Sequence, residues 1–134
     1  MAVEGLIALP SSFGPKETMT RLQAEVRARG MTIFSHIDHA AGASAIGLVL
    51  RPTDLLIFGA AKSGTPLMQS MQTIGIDLPL KALVWQDEAG NTFLSYNDPA
   101  FVADRHGIGE TAKPVIEAMS RVLKKMAAMS TTAP

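Results

Sequence analysis

The stretch LLIFGAAKSGTPLMQSM, residues Leu55–Met71, decides how the chain is organised. Its first four residues are apolar without alternation, which is typical of a strand that is covered on both faces. A segment bounded by glycines, Gly59–Gly64, follows and carries one cation, Lys62. Thr65 can cap the N-terminus of a helix, and Pro66 suits the first helical position. The stretch therefore predicts a buried strand that turns through a lysine-bearing loop into a helix.

The composition of the chain is that of one folded domain. Its 134 residues are enough to bury a core, and 47% of them are hydrophobic against 18% charged, which excludes a disordered chain. Twelve basic and twelve acidic residues give a formal net charge of zero. This balance supports neither nucleic acid nor an anionic membrane as a partner. The absence of cysteine excludes disulfides and thiolate metal sites.

The apolar segments are all short. The N-terminal run Leu6–Leu9 lacks a basic leader and is too short for a signal peptide, so it is expected to form a first strand. No apolar run approaches the ~18 residues of a membrane-spanning helix. We therefore expect a cytoplasmic protein that has no membrane partner.

Periodicity along the chain predicts an α+β domain with the element order β-α-β-β-β-α-β-β-α. Residues 1–134 are expected to form one two-layer unit, in which helices cover one face of a mixed or largely antiparallel sheet. Short helical turns are expected after Asp38 and Asp98, a brief strand over 47–50 and a helix over 66–74. The last helix is predicted to present the stripe Val115, Met119, Val122 and Met126, and residues 130–134 are predicted to fray.

Two predicted strands bear on assembly. Leu55–Phe58 and Leu80–Trp85 are apolar on both sides, whereas the helices are expected to cover one sheet face. A second subunit could cover the other face, and a chain of zero net charge offers little repulsion against self-association. These features predict a homodimer.

The Gly59–Thr65 segment is the first candidate site. Its glycines have the spacing of a phosphate-binding loop, but Thr65-Pro66 stands where that motif requires lysine followed by serine or threonine. A nucleoside triphosphatase is therefore disfavoured. Amides at a helix start, with Lys62 nearby, could still hold a phosphate or carboxylate. The simpler interpretation is a tight turn that needs glycine, since such turns are commoner than anion sites.

The second candidate is the segment His36-Ile37-Asp38-His39. On a strand the two histidines point to opposite faces, and no third ligand is evident, so no metal site is predicted. Asp38 could orient the imidazole of His39 for acid–base catalysis, which makes these two residues the catalytic candidates. The simpler interpretation is that Asp38 caps the next helical turn while His39 packs or hydrogen-bonds locally.

The third candidate is the segment Tyr96-Asn97-Asp98-Pro99. The Tyr96 hydroxyl and the Asp98 carboxylate could lie at the rim of a shared cleft. The alternative is a capped short helix that follows an amphipathic tyrosine at a strand end. The ligand-binding candidates are therefore His39, Gly59, Lys62, Gly64, Thr65, Tyr96 and Asp98.

Three stretches together resemble a bacterial family known as domain of unknown function 302. They are Ser35–His39, Phe58–Met68 and the segments 79–81 and 96–99, and the resemblance covers about residues 15 to 107. It implies a small α+β domain that dimerises, and it implies no established activity. The family usually has Asn-Pro where this chain has Ala60-Ala61, a difference that removes a polar side chain and a rigid turn from the central motif.

Three functions are open on these grounds. The first is a small dimeric domain that binds a small anionic or polar ligand near the Gly59–Thr65 turn. The second is a cofactor-free enzyme that uses Asp38 and His39 as an acid–base pair. The third is a haem- or metal-binding protein ligated by one of the three histidines. The residues specify no cofactor.

Overall fold

The computed structural model describes residues 2–133 and has an α+β architecture, as predicted. The strands are β1 (Leu6–Pro10), β2 (Thr32–Asp38), β3 (Thr53–Gly59), β4 (Leu80–Gln86) and β5 (Thr92–Asn97). The helices are α1 (Pro15–Ala28), α2 (His39–Ala45), α3 (Ala61–Ser70), α4 (Pro99–His106) and α5 (Lys113–Thr131). Two 3-10 helices cover Gln72–Asp77 and Glu110–Ala112. Within residues 2–133, none of the helices combines the length and the apolarity needed to cross a membrane.

The five strands form one antiparallel sheet in the order β1-β5-β4-β3-β2. The predicted hairpin joins β4 to β5, and its loop contains Gly90 at a φ of 86°. The edge strand β2 is irregular, because its pairing with β3 shifts between Ile33 and Ser35. The extra residue, Phe34, is 56% exposed. Such a bulge redirects a side chain out of the regular alternation of the strand.

The core lies between one face of the sheet and helices α1 and α5. Its fully buried side chains include Leu56, Phe58, Val84 and Leu94 from the sheet, and Leu22, Val26, Leu123 and Met126 from the two helices. Helix α1 begins at Pro15, as predicted, and the chain leaves it through Gly30 at a φ of 73°. A left-handed residue at this position is a common helix stop, and glycine adopts it without steric cost.

The opposite face of the sheet, here called the outer face, is also apolar. Pairing aligns Ile37, Leu55, Leu83, Ser95 and Ala8 across all five strands. In the neighbouring row the rings of Trp85 and Phe93 stack with their centroids 4.9 Å apart. The leucines and the two aromatic residues are only partly buried. Strands β3 and β4 therefore carry apolar side chains on both faces, as predicted, and α1 and α5 cover one of these faces.

The brief strand predicted over residues 47–50 is wrong. This segment is irregular, with Gly47 at a φ of 78° and Val49 fully exposed. A short apolar run such as Leu48–Leu50 forms a strand only where a neighbouring strand is free to pair with it. Here β2 and β3 pair directly with each other, so the run is left outside the sheet.

The buried stripe of the last helix differs from the predicted one by one residue at two positions, because Ile116 and Leu123 are buried where Val115 and Val122 are predicted. The buried residues of α5 include Ile116, Met119, Leu123 and Met126, whereas Val122 is 37% exposed.

The helix also continues through Thr131, so the tail predicted over 130–134 begins later. The hydroxyls of Ser130 and Thr131 are buried and donate to helix carbonyls, which satisfies them without water. Pro134 lies outside the described residues.

Candidate functional site

A groove of about 1050 Å³ opens beside α3. Its walls come from the start of β2, helix α3, the segment before β4 and the first half of α5. The apolar side chains that line it include Met31, Phe34, Met68, Leu78, Met119 and Val122. Two basic residues, Arg29 and Lys62, border the same groove. All of the segment Gly59–Thr65 lines it, so the first candidate site lies on a real concavity.

The local structure of this segment differs from the prediction. Helix α3 begins at Ala61, and Ala60 is its N-cap without a side-chain hydrogen bond. Ala60 is therefore the single residue between β3 and α3, and Lys62 lies in the first turn of the helix. Thr65 does not cap the helix, and Pro66 lies inside it rather than at its start. The amides of residues 63 and 64 both donate to the Ala60 carbonyl at 3.1 Å, which fixes the earlier start.

Ala61, Lys62 and Ser63 favour the earlier start of the helix. These residues have moderate to high helix propensity, so they favour continuing the helix over forming a loop. Pro66 costs one hydrogen bond, to the carbonyl of Lys62. Neither Gly59 nor Gly64 has a positive φ, and a Cβ at either position would meet no atom closer than 3.6 Å. The backbone therefore does not require glycine at these positions, contrary to the tight-turn interpretation.

The two basic residues of the groove differ in their pairing. Arg29 forms an ion pair with Glu25 one helical turn earlier, and both side chains are partly buried. Lys62 is exposed and forms no ion pair with any acidic side chain of residues 2–133. The first amides of a helix also lack carbonyl partners within that helix. The open positive charge of the groove is therefore at the N-terminus of α3.

Asp38 and His39 do not contribute to this groove. The Asp38 carboxylate accepts a hydrogen bond from the Ala41 amide at 2.9 Å and caps α2, which agrees with the simpler interpretation. His39 is exposed and follows the far end of β2. The seven residues of β2 separate it from Met31, a distance of roughly 25 Å along the strand. The residues proposed as an acid–base pair are therefore remote from the concavity.

Tyr96 and Asp98 also lie outside the groove. The Asp98 carboxylate accepts from the Ala100 amide at 3.0 Å and caps α4, as the simpler interpretation predicts. Tyr96 is 5% exposed on the helix-covered face of β5. Burial raises the pKa of the Tyr96 hydroxyl above its ordinary value of 10.0, and the Asp98 carboxylate raises this pKa further. Of the seven predicted ligand-binding residues, the groove brings together Gly59, Lys62, Gly64 and Thr65.

The pKa of Tyr96 predicts how the stability depends on alkaline pH. Because the folded-state pKa is raised, the unfolded chain loses this proton first as the pH rises. The free energy of unfolding is therefore expected to keep the Tyr96 contribution below pH 10.0 and to lose it as the pH rises through the folded-state pKa. Tyr96→Phe should lessen that fall. Tyr96 is the single tyrosine, so phenolate absorbance reports its pKa directly; a midpoint at or below 10.0 would contradict the prediction.

Two hydrogen-bonded histidine clusters were missed by sequence reasoning. The imidazole of His36 lies 2.7 Å from the carboxylate of Asp54, on the neighbouring strand. His106 lies 2.6 Å from Asp77, which also pairs with Arg105 at 2.9 Å. The partners are 18 and 29 residues apart in the chain, so no local motif marks them. The second cluster joins α4 to the 3-10 helix over Gln72–Asp77.

No group of three or more histidine, cysteine or acidic side chains in the part of the chain that the structure describes could hold a metal ion. The histidines instead occupy separate places in the fold. His36 is on β2, His39 begins α2 and His106 ends α4.

Comparison with known proteins identifies the family. The sequence profile of the family described as Domain of unknown function DUF302 matches residues 7–126. The chain belongs to the DUF302 family. The match contains the whole range of about 15 to 107 that carries the resemblance, and it extends over most of β1 and most of α5.

A solved structure supports the same DUF302 fold. The crystal structure of an uncharacterized conserved protein DUF302 from Bacillus stearothermophilus superposes with a TM-score of 0.85. The superposition covers 97% of this chain and 100% of that chain, at 17% sequence identity. At this identity the likeness concerns the fold alone.

Curated relatives of this DUF302 chain come from Brucella. Fluoride-specific ion channel FluC 1 of Brucella suis biovar 1 (strain 1330) is 45% identical over 115 residues, which is 86% of this chain and 45% of the relative. Fluoride-specific ion channel FluC 2 of Brucella melitensis biotype 1 is also 45% identical over 115 residues, or 43% of its length. The chain thus spans less than half the length of these relatives.

Proposed function

We propose that this DUF302 domain binds a small anion-bearing ligand in the groove beside α3 and works as a homodimer. The observation that carries the binding proposal is the place of Lys62. Lys62 borders a concavity of about 1050 Å³, and its ammonium group has no acidic partner among residues 2–133. Small-molecule sites have volumes of about 300–1000 Å³, so the groove is large enough for such a ligand.

Three sources of positive potential support an anionic ligand. Lys62 carries a full charge, the N-terminus of α3 contributes a partial charge, and Arg29 adds a charge that Glu25 partly balances. A carboxylate or phosphate placed here could accept charge-assisted hydrogen bonds from the ammonium group and from amides at the helix start. Asp38 and His39 are not part of this proposal, since the Asp38 carboxylate caps α2 and His39 is remote.

The binding proposal predicts the effect of removing the Lys62 charge. Lys62→Ala is expected to weaken the binding of a small phosphate or carboxylate about tenfold, because it removes a charge-assisted hydrogen bond that an exposed ammonium group donates to the anion. Calorimetric titration with phosphate, phenyl phosphate, benzoate and fluoride would measure this. Fluoride is included because the Brucella relatives are fluoride channels by name.

The matched control is Lys124→Ala, which removes the same charge from an exposed position of α5 that does not line the groove. It is expected to bind every anion as the unaltered protein does. Equal losses in the two variants would show a general charge effect rather than a site. A protein that binds no anion of the panel would refute the binding proposal.

The homodimer proposal rests on the outer face. A row of side chains from Ile37 to Ala8 crosses all five strands, and the leucines in it are partly exposed. Extended apolar patches on a protein surface mark interaction sites, and a two-fold dimer can bury the same patch of both copies. Light scattering is expected to give the mass of two chains, and a monomer at tens of micromolar would contradict it. The cytoplasmic location stays a prediction.

A further inference from the structure

We infer that the ligand of this groove is an amphiphile that has a carboxylate head group on a linear acyl tail. The ligand is a single fatty-acid-like molecule and not part of a membrane. The inference rests on the proposed function and specifies its ligand. A small inorganic anion would satisfy Lys62 but leave the apolar walls in contact with water. An acyl carboxylate satisfies both parts of the groove.

The two basic residues lie at the same end of the sheet. Thr32 at the start of β2 pairs with Gly59 at the end of β3. Arg29 precedes Thr32 by three residues, and Lys62 follows Gly59 by three residues. The strand pairing thus places both cations beyond one end of the sheet, where a single head group could meet them. This charge arrangement favours a ligand whose negative charge is at one end.

The remaining walls are apolar and incompletely covered. Phe34 is 56% exposed and Val122 is 37% exposed, although both line a concave surface. Phe34 points away from the regular strand pattern because of the bulge in β2. Three methionines, Met31, Met68 and Met119, add flexible side chains to the lining. Methionine adapts its shape to a partner, which suits a flexible acyl tail better than a rigid ring.

The experiment compares linear carboxylates of increasing length. Hexanoate, octanoate and decanoate, each below its micelle concentration, are titrated into the full chain by calorimetry. Each CH₂ group that leaves water completely raises affinity about fourfold. Decanoate has four more CH₂ groups than hexanoate, so it is expected to bind at least about tenfold more tightly even where the open groove covers each group only in part. Lys62→Ala is expected to weaken all three carboxylates by a similar factor, because it alters the head-group contact. The neutral analogue decanol should bind the two proteins equally.

Two valine variants test the tail contact. Val122→Ser makes the groove wall polar and is expected to weaken decanoate about fourfold while affecting hexanoate less. Val49→Ser is the matched control, since Val49 is fully exposed and does not line the groove. It is expected to leave the affinity for both carboxylates unchanged. A similar loss in both variants would overturn the assignment of the tail to this groove.

The outcomes separate this inference from the proposed function. Affinity that does not depend on tail length, together with a Lys62→Ala loss, would overturn the amphiphile and leave the anion site in place. Length dependence without a Lys62→Ala effect would overturn both the anionic head group and the proposed function. A Val122→Ser variant that changes the mass in light scattering would identify a second copy as the occupant. Retention of the unaltered protein on phosphatidylglycerol vesicles would identify a membrane surface instead of a free acyl chain; either result would overturn the inference.

Discussion

Leu56→Ala is expected to lower the free energy of unfolding by about 2–5 kcal/mol. Leu56 is 0% exposed on β3, an interior strand between β2 and β4. Its neighbours across the sheet are His36 and Ala82. Alanine at position 82 is small and the imidazole of His36 is held by Asp54, so neither side chain can expand into the cavity. The substitution therefore loses the transfer free energy of the leucine and leaves a void.

Denaturant titration of the Leu56→Ala variant, followed by the fluorescence of the single tryptophan, Trp85, would measure this loss. Leu48→Ala is the matched control because Leu48 is exposed in the irregular segment before β3. It is expected to change the free energy of unfolding by less than about 0.5 kcal/mol. Similar midpoints for the two variants would show that the helix-facing side of β3 is not part of the core.

The fold was largely predictable because its signals are local. Aspartates 38 and 98 each precede a short helix that they cap, as the side-chain chemistry predicts. The unalternating apolar run before Gly59 forms an interior strand, as predicted, and it carries apolar side chains on both faces of the sheet. Failures occurred where two local signals competed. At the start of α3 the helix propensity of residues 61–63 outweighs the cap-and-proline signal of Thr65-Pro66, so the helix begins at Ala61, five residues before Pro66.

The candidate site was predicted only in part, since a groove is a property of several elements together. The glycines around Lys62 mark it as a candidate in the sequence. The concavity beside it, however, is formed by apolar residues from other segments of the chain. Phe34 carried no signal in the sequence, because a bulge depends on the register between β2 and β3. The heptad-like spacing predicts Val122 in the core stripe of α5. In the structure Leu123 takes that place, and Val122 lines the groove. The clusters around His36 and His106 were equally invisible, because their partners are distant in the chain.

The second large effect is expected from Leu83→Lys on the outer face. Leu83 lies on β4, the central strand, between Leu55 and Ser95 in the row that crosses the sheet. If two copies pack through this face, a two-fold axis brings two new charges into one apolar interface. A buried charge without a partner costs several kcal/mol, so the dissociation constant of the dimer is expected to rise about a hundredfold or more. Light scattering over a dilution series would then show the mass of a single chain.

The same substitution should leave the protomer folded, which makes the result specific to assembly. Leu83 is partly exposed in the single chain, so a lysine stem can lie along the sheet while its ammonium group reaches water. Ala24→Lys adds the same charge to an exposed position of α1, on the helix-covered side, and is expected to keep the dimer. A Leu83→Lys protein that stays dimeric, or an Ala24→Lys protein that becomes monomeric, would place the interface on another surface. Retained decanoate binding by a monomeric Leu83→Lys variant would further show that each copy carries a complete groove.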